Sequence, residues 1–285
     1  MVNIDSSRFL CELAADSPIA AEVTPGSTLS IHCRHALDMK VGPGPVRAED
    51  ANPGTGPIGV EGAFPGQALK VEILDIEPES PGHVAGGWEG EIQATEIIAG
   101  KVHFHGAEIP LAPMIGTFGV APAGGSWSTK DAGPFGGNMD VNDLAPGATL
   151  YLPVFQPGGR FVLGDVHAVM GDGEIGGQGL EVAATVCLRV EIEPEPLTDR
   201  VYLMRDDRLV VVGSAETVEE ATDDAVAAMI DIIASAGAMS AFHARKFLGL
   251  AADTFFGQHC CPIKTVRVAL PLNYLPELRA AIHGE

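Results

Sequence analysis

The sequence predicts a mainly β protein with a smaller C-terminal part of mixed character, an α+β chain overall. Three observations predict it. Glycine (35) and proline (21) are frequent among the 285 residues and break the chain into short segments. Up to the neighbourhood of residue 190, those segments are β-rich and in places alternate apolar and polar residues, the period of strands. Beyond Pro194–Pro196 the apolar period becomes helical.

Taken in order, Thr28 to Cys33 is a β-rich run after Pro25-Gly26, and Pro57 to Glu61 is another, ended by Phe64-Pro65-Gly66. Ala68 to Ile76 alternates, with Leu69, Val71, Ile73 and by continuation Asp75 on one face and Lys70, Glu72 and Leu74 on the other. The Gly/Pro/His stretch from Pro78 to Gly90 reads as a loop. Further strands are expected at Ile92 to Ile98, Lys101 to His105, Met114 to Ala121, Thr149 to Phe155, Arg160 to Val169 and Leu180 to Ile192, with Pro-Gly, Gly-Gly or Asp-Gly turns between them. This is the texture of sandwiches and barrels.

A hairpin at Val201–Met204 and Leu209–Val212 precedes the helices. Thr217-Val218-Glu219-Glu220 is a capping box, and Val218, Ala221, Ala225, Met229 and Ile232 repeat at helical spacing, so a helix is expected over 217–236. A second is expected from Ser240 to about Ala252, followed by β-like Thr265 to Leu270. The expected organisation is a mainly β domain, 1–194, carrying the site, and a smaller α+β region, 195–285, packed on it.

A net charge of −21 repels nucleic-acid phosphates and anionic membrane surfaces, so neither is an expected partner. Five cysteines, with Cys260 and Cys261 adjacent and no Cys-x-x-Cys, argue against a disulfide framework and suit a reducing compartment. Asp5, Glu12 and Asp16 leave no room for a secretory apolar core near Met1, and a cytoplasmic location is expected. Asp231 interrupts the apolar stretch Ala225 to Phe242, which reads as a soluble helix.

Two segments carry the residue types that chemistry needs. In Gly136-Gly137-Asn138-Met139-Asp140-Val141-Asn142-Asp143, an extended backbone would project Asn138, Asp140 and Asn142 from one face. Gly136 and Gly137 would let the main chain approach a substrate closely. In Gly164-Asp165-Val166-His167-Ala168-Val169-Met170-Gly171-Asp172-Gly173-Glu174, Asp165 and His167 share a face at the end of an apolar strand. A carboxylate and an imidazole so placed can share a divalent metal or form an acid–base pair. Asp172-Gly173 suits a hairpin turn, and Glu174 could point back into the same cleft.

Together with Ala112-Pro113-Met114-Ile115-Gly116 and Gly119-Val120-Ala121-Pro122-Ala123-Gly124, these blocks resemble the signature order of the acetamidase/formamidase family. Gly56-Pro57-Ile58, Val60-Glu61-Gly62-Ala63, Gln258 and Thr265-Val266-Arg267 fit the same resemblance, which spans residues 25 to 271. Phe135-Gly136 departs from the His-Gly or Cys-Gly of many relatives, and His32, His35 and Asp38 do not align securely. The resemblance implies a jelly-roll-like part, a smaller α/β part, a homodimer, and hydrolysis of formamide, acetamide or a related amide to carboxylate and ammonia. It also implies a bound zinc or calcium ion. Residue chemistry then assigns Asp140, Asp165 and His167 as metal ligands, Asn138 as ligand or substrate contact, and Glu174 as proton carrier to the departing amine, with a metal-activated water as nucleophile.

Rival constellations are weaker. His103-Phe104-His105 with Glu108 lacks cupin spacing, and Ser126 to Lys130 lacks the frame of a serine amidase, as Cys260-Cys261 lacks that of a thiol one. Two alternatives to a linear-amide hydrolase stay open: a lactam hydrolase of the same family, and a binding protein whose β-sandwich is stabilised by calcium, for which His167 would be irrelevant.

Overall fold

The computed structural model describes residues 1–37, 52–85 and 92–283. Two large sheets dominate the described residues. The first has nine strands in the order Val2–Ile4, Ser27–Cys33, Ala184–Glu193, Ala68–Pro78, Thr149–Pro153, Tyr202–Arg205, Arg208–Ala215, Lys264–Pro271 and Asp253–Phe256. The second has ten. Its main path runs Ala132–Gly133, Gly136–Asn138, Met114–Gly119, Phe161–His167, Glu181–Val182, Gly82–Ala85 and Ile92–Thr95, and Gly54–Val60 joins it beside Phe161–His167.

Inward side chains of both sheets form one core. Leu29, Ile31, Val71, Val186 and Leu188 from the first meet Ile58, Phe118, Phe161 and Leu163 from the second. Burying each large side chain contributes roughly 1.5–3 kcal/mol, which is what turns alternation along a strand into a sandwich. The first sheet continues past residue 194: Thr149–Pro153 pairs with Tyr202–Arg205, and Tyr151 stacks on Tyr202 at 4.4 Å between ring centroids.

The C-terminal helices lie against this extension of the sheet. Helix α1 (Val218–Ser235) starts at the Thr217 cap, whose hydroxyl accepts from the Glu220 amide at 3.2 Å and donates to Glu220 Oε2 at 2.9 Å. Its Ala221, Ala225, Met229, Ile232 and Ile233 are buried, Met229 and Ile232 against Leu209, Val211, Val268 and Leu270. Helix α2 covers Ala241–Ala251, and a third, α3 (Pro276–His283), lies beyond the elements expected from the sequence. No helix among the described residues is long and apolar enough to cross a membrane.

Three expectations need correction. The segment from Pro78 is not all loop, because Gly82–Ala85 pairs with Ile92–Thr95; residues 86–90 lie outside the described residues. Asp75 does not continue the buried face of its strand. Opposite it, Cys187 pairs with Asp75 while Leu188 pairs with Ile73, so Leu74 is an extra, bulged residue. Parity reverses there, and Asp75 turns to solvent while Ile76 is buried at 4 % exposure. The run Asn138 to Asn142 is not extended either: its strand ends at Asn138, and Asp140 has a left-handed φ of 49°. Asn142 therefore leaves the cleft, and its amide donates to Asp172 at 2.7 Å.

Candidate catalytic and metal site

The central antiparallel pair of the second sheet supplies the floor of the site. Met114–Gly119 pairs with Phe161–His167 on one side and Gly136–Asn138 on the other. The ladder between Met114 and Gly119 skips Gly116 and Asp165, and Asp165 has φ 54°. Glu174 is left-handed too, with φ 47°. Left-handed backbone at three acidic side chains is sparsely populated and costs of order 1–3 kcal/mol each. All three belong to one cluster.

Gly116 is the residue the cluster is built over. Its carbonyl accepts from the amides of Met139 and Asp140 at 2.9 and 3.1 Å. A Cβ on Gly116 would sit 2.5 Å from Asp140 Oδ1 and 3.0 Å from Asp165 Oδ2, so any larger residue would displace the carboxylates. Gly179 does the same for the imidazole, where a Cβ would lie 2.8 Å from His167 Nδ1. That side of the ring is thus walled by backbone, and Nε2 faces the acids. It lies 3.1 Å from Glu181 Oε1 and 3.6 Å from Asp165 Oδ1.

These groups are buried and incompletely bonded. Asp140, Asp165, His167, Glu174 and Glu181 are all at most 6 % exposed. Among the described residues, neither oxygen of Asp140 and neither nitrogen of His167 has an in-line hydrogen-bond partner, although the His167–Glu181 approach is short. Four carboxyl groups in one buried space cannot all ionise unaided. Burial, then Glu174 and Asp165, raises Asp140 well above the usual carboxylate range. Burial pushes Glu174 up to about 9 and Glu181 to about 7, in each case against the stabilising pull of His167. Burial opposes charge on His167, but Glu181 and Asp165 outweigh it and raise the imidazole well above its ordinary value.

Such a set fits a divalent cation. The donor atoms of Asp140, Asp165 and His167 lie within 4.8 Å of one another, as do those of His167, Glu174 and Glu181. A cation would satisfy the orphaned oxygens of Asp140 and replace the protons that burial forces onto the acids.

Asn138 lines the same cleft with a different task. Its Oδ1 accepts from Thr117 at 2.7 Å and from Asn52 at 3.1 Å, and Asn52 also donates to Asp165 at 2.8 Å. With its oxygen so engaged, Asn138 offers its amide N–H groups, which face Cys261 Sγ at 3.9 Å. Asn138, Asp165, Glu174, Glu181 and Cys261 border a cavity of about 20 Å³, room for roughly one water. Cys261 also forms part of the wall of a wider basin of about 590 Å³, shared with Ser128, Lys130, Asp131, Cys260, Pro262 and Lys264.

The structure brings Asn138, Asp140, Asp165, His167 and Glu174 together. Gly136 and Gly137, expected as substrate contacts, do not border the cavity. They pack on main chain: a Cβ would meet the Phe118 carbonyl at 2.3 Å and the Asp131 carbonyl at 2.2 Å. His32 is tied to Ser6 and Glu79, and His35 to His83, outside the cluster; Asp38 lies outside the described residues. His103 faces Glu108 in a separate three-stranded sheet. The Cys260 thiol is raised by its hydrogen bond with Cys261 and by burial, which makes it a poor nucleophile.

Sequence reasoning missed Glu181, Asn52 and Thr117. Glu181 sits directly across the ladder from His167, and the one signal for it was an acid opening an otherwise apolar strand. The role of the distant Gln258 and Thr265–Arg267 also emerges only in three dimensions. Thr265 Oγ1 donates to the Met139 carbonyl at 2.6 Å, and the Gly173 strand bridge meets Gln258. Arg267, 5 % exposed, binds Asp143 at 2.5 Å, Asp172 at 2.8 Å and the Phe256 carbonyl at 2.7 Å. It clamps both site loops to the last hairpin.

Known proteins share this arrangement's framework. The profile of the Acetamidase/Formamidase family matches residues 129–201, the stretch that carries Asn138, Asp140, Asp165, His167 and Glu174. A Schizosaccharomyces pombe protein with a formamidase designation is 37% identical over 65 residues, 22% of this chain but only 16% of that protein's length. Solved structures match almost throughout. An acetamidase of Bacillus halodurans has a TM-score of 0.92 at 32% identity, covering 97% of this chain and 99% of its own. A predicted acetamidase/formamidase of Thermoanaerobacter tengcongensis has 0.92 at 31% identity, covering 97% and 98%. A gamma lactamase of Delftia acidovorans shares the fold alone, with a TM-score of 0.61 at 18% identity over 96% and 92%. A match at 32% identity over nearly the full length of both chains, with the buried acid–imidazole cluster inside the profiled stretch, makes this chain a member of the acetamidase/formamidase family.

Proposed function

We propose that this chain hydrolyses a small aliphatic amide, of the formamide or acetamide class, to the carboxylate and ammonia. The observation that carries the reading is the buried cluster of Asp140, Asp165 and His167, whose ligand atoms lie within 4.8 Å of one another, the Asp140 oxygens without hydrogen-bond partners among the described residues.

Asp140, Asp165 and His167 would hold a divalent cation, zinc or calcium, through two carboxylates and the imidazole, with Glu181 close by as a further carboxylate. When bound, the cation supplies Lewis-acid polarisation of the amide carbonyl and a more acidic water for attack. The protein supplies the rest. Asn138, its oxygen held by Thr117 and Asn52, presents amide hydrogens to the substrate oxygen, where negative charge grows as water adds. Glu174 keeps its proton near neutral pH, since burial raises it to about 9, and can deliver it to the nitrogen as the C–N bond breaks. The proton lost by the attacking water then restores the acid. The wider basin beyond Cys261 is the approach to the site.

Ammonia release from formamide, acetamide and longer amides, and amino-acid formation from a five-membered lactam, whose opening frees no ammonia, followed with metal analysis of the same sample, test this reading. Turnover should be highest on the short linear amides, vanish on prolonged chelation and return with a divalent ion. Exclusive opening of the lactam, or full activity after all metal is removed, would overturn it.

A further inference from the structure

Glu174 faces two ways. Toward the cleft it joins His167 and Glu181; away from it, it meets the adjacent thiols of Cys260 and Cys261. Cys260 Sγ donates to Glu174 Oε2 at 3.0 Å, and the two sulfurs are 3.9 Å apart. Zinc–thiolate bonds are about 2.3 Å, and a tetrahedral angle between two of them separates the sulfurs by about 3.8 Å. The observed spacing matches that edge with no backbone movement.

The pair is held in this pose from both sides. Gln258 Oε1 accepts from the Cys261 amide at 3.0 Å, and the Lys264 ammonium donates to the Cys261 carbonyl. Gln258 itself is fully buried, its amide donating to the Ile263 carbonyl at 2.6 Å. Access is open as well, because both cysteines border the basin of about 590 Å³. The donors also differ in kind from the inner cluster. Sulfur selects soft or borderline metals, whereas the carboxylates and imidazole of Asp140, Asp165 and His167 form a harder set.

We propose that Glu174, Cys260 and Cys261 form a second, thiophilic metal site that takes a zinc- or cadmium-like divalent ion from the outer basin. Two metal–sulfur bonds and one metal–oxygen bond form as two S–H bonds and the Glu174 O–H bond break, the protons leave to solvent, and no oxidant is involved. Occupied, the site draws Glu174 away from the amide cleft. That last consequence rests on the proposed role of Glu174 in hydrolysis, but the binding does not.

Cadmium is the probe, added to the reduced, metal-stripped full chain. The expected result is thiolate-to-cadmium ultraviolet absorption that saturates with a Cys260–Cys261 pair intact and is lost in C260S/C261S, which keeps Cys11, Cys33 and Cys187. Glu174→Gln should weaken the binding by about tenfold or more, the scale on which even outer-shell partners act. If the double variant fails to fold by circular dichroism, Cys260→Ser alone, at a half-buried position, must still lower the band. A wild-type chain without the band, or a folded serine variant that retains it, would overturn the proposal. Because absorption is read without turnover, the second site stands or falls separately from the amide reading.

Discussion

The acidic loops and the C-terminal helical layer are built on opposite terms. In helix α1 every local rule agrees: Thr217 caps it, Ala221, Ala225 and Met229 recur on its buried face, and their partners on Arg208–Ala215 and Lys264–Pro271 are apolar. In the loops the rules are broken together. Asp140, Asp165 and Glu174 adopt backbone that disfavours side chains, and Asp140 and His167 are buried with unbonded polar atoms. Concentrated local conflict of this kind marks where stability has been given up for chemistry. The contrast yields tests in which one region should lose turnover without stability and the other stability without turnover.

The largest effect is expected from Asp165→Asn and His167→Ala, which should each abolish amide turnover. Asparagine tolerates left-handed backbone, so Asp165→Asn should leave the thermal midpoint nearly unchanged. Activity within a few-fold of the parent would remove that residue from the site. Next is Glu174→Gln, expected to cost about 10²–10⁴-fold in kcat, the range for a general acid. The rate of the parent should fall as pH rises through the Glu174 pKa, because the donor proton is lost, and the glutamine variant should lack that limb in a pH–rate profile. In the helical layer, Met229→Ala should lower stability by about 2–5 kcal/mol in a denaturant titration with kcat unaltered. Smallest is Thr217→Ala, which removes a cap worth about 0.5–2 kcal/mol and should not register in kinetics. A helix variant that lowers kcat at full folding would erase the division between the two regions.

The same division explains what could be read in advance. Strands such as Ala68–Pro78 and helix α1 were legible because alternation, spacing and capping are local signals. The Leu74 bulge was not, since it is defined by what Cys187 and Leu188 do on another strand, more than a hundred residues away. Asn138, Asp140, Asp165, His167 and Glu174 were legible as residue types in a familiar order. Glu181 was not, although it lies across the ladder from His167, because pairing register carries no mark in the chain itself. Gly136 and Gly137 show the converse: the glycines were visible, but the Phe118 and Asp131 carbonyls they fit against were not.

Arg267 sets an order of events in time. The loops it joins, at Asp143 and Asp172, precede it by 124 and 95 positions, and its guanidinium also holds the Phe256 carbonyl. In a chain made from its N-terminal side, Arg267 follows every strand of the second sheet, so its contacts are added to a sandwich whose own pairings, such as Cys33 with Ala184, are longer still. A ribosome-bound chain can therefore build much of the sandwich before Arg267 emerges, and still hold Asp140 and Glu174 on unanchored loops. Refolding should recover β-sheet dichroism before it recovers amide turnover, and simultaneous recovery of the two would contradict this order. Competence would then be acquired last, when the final hairpin closes over loops made long before it.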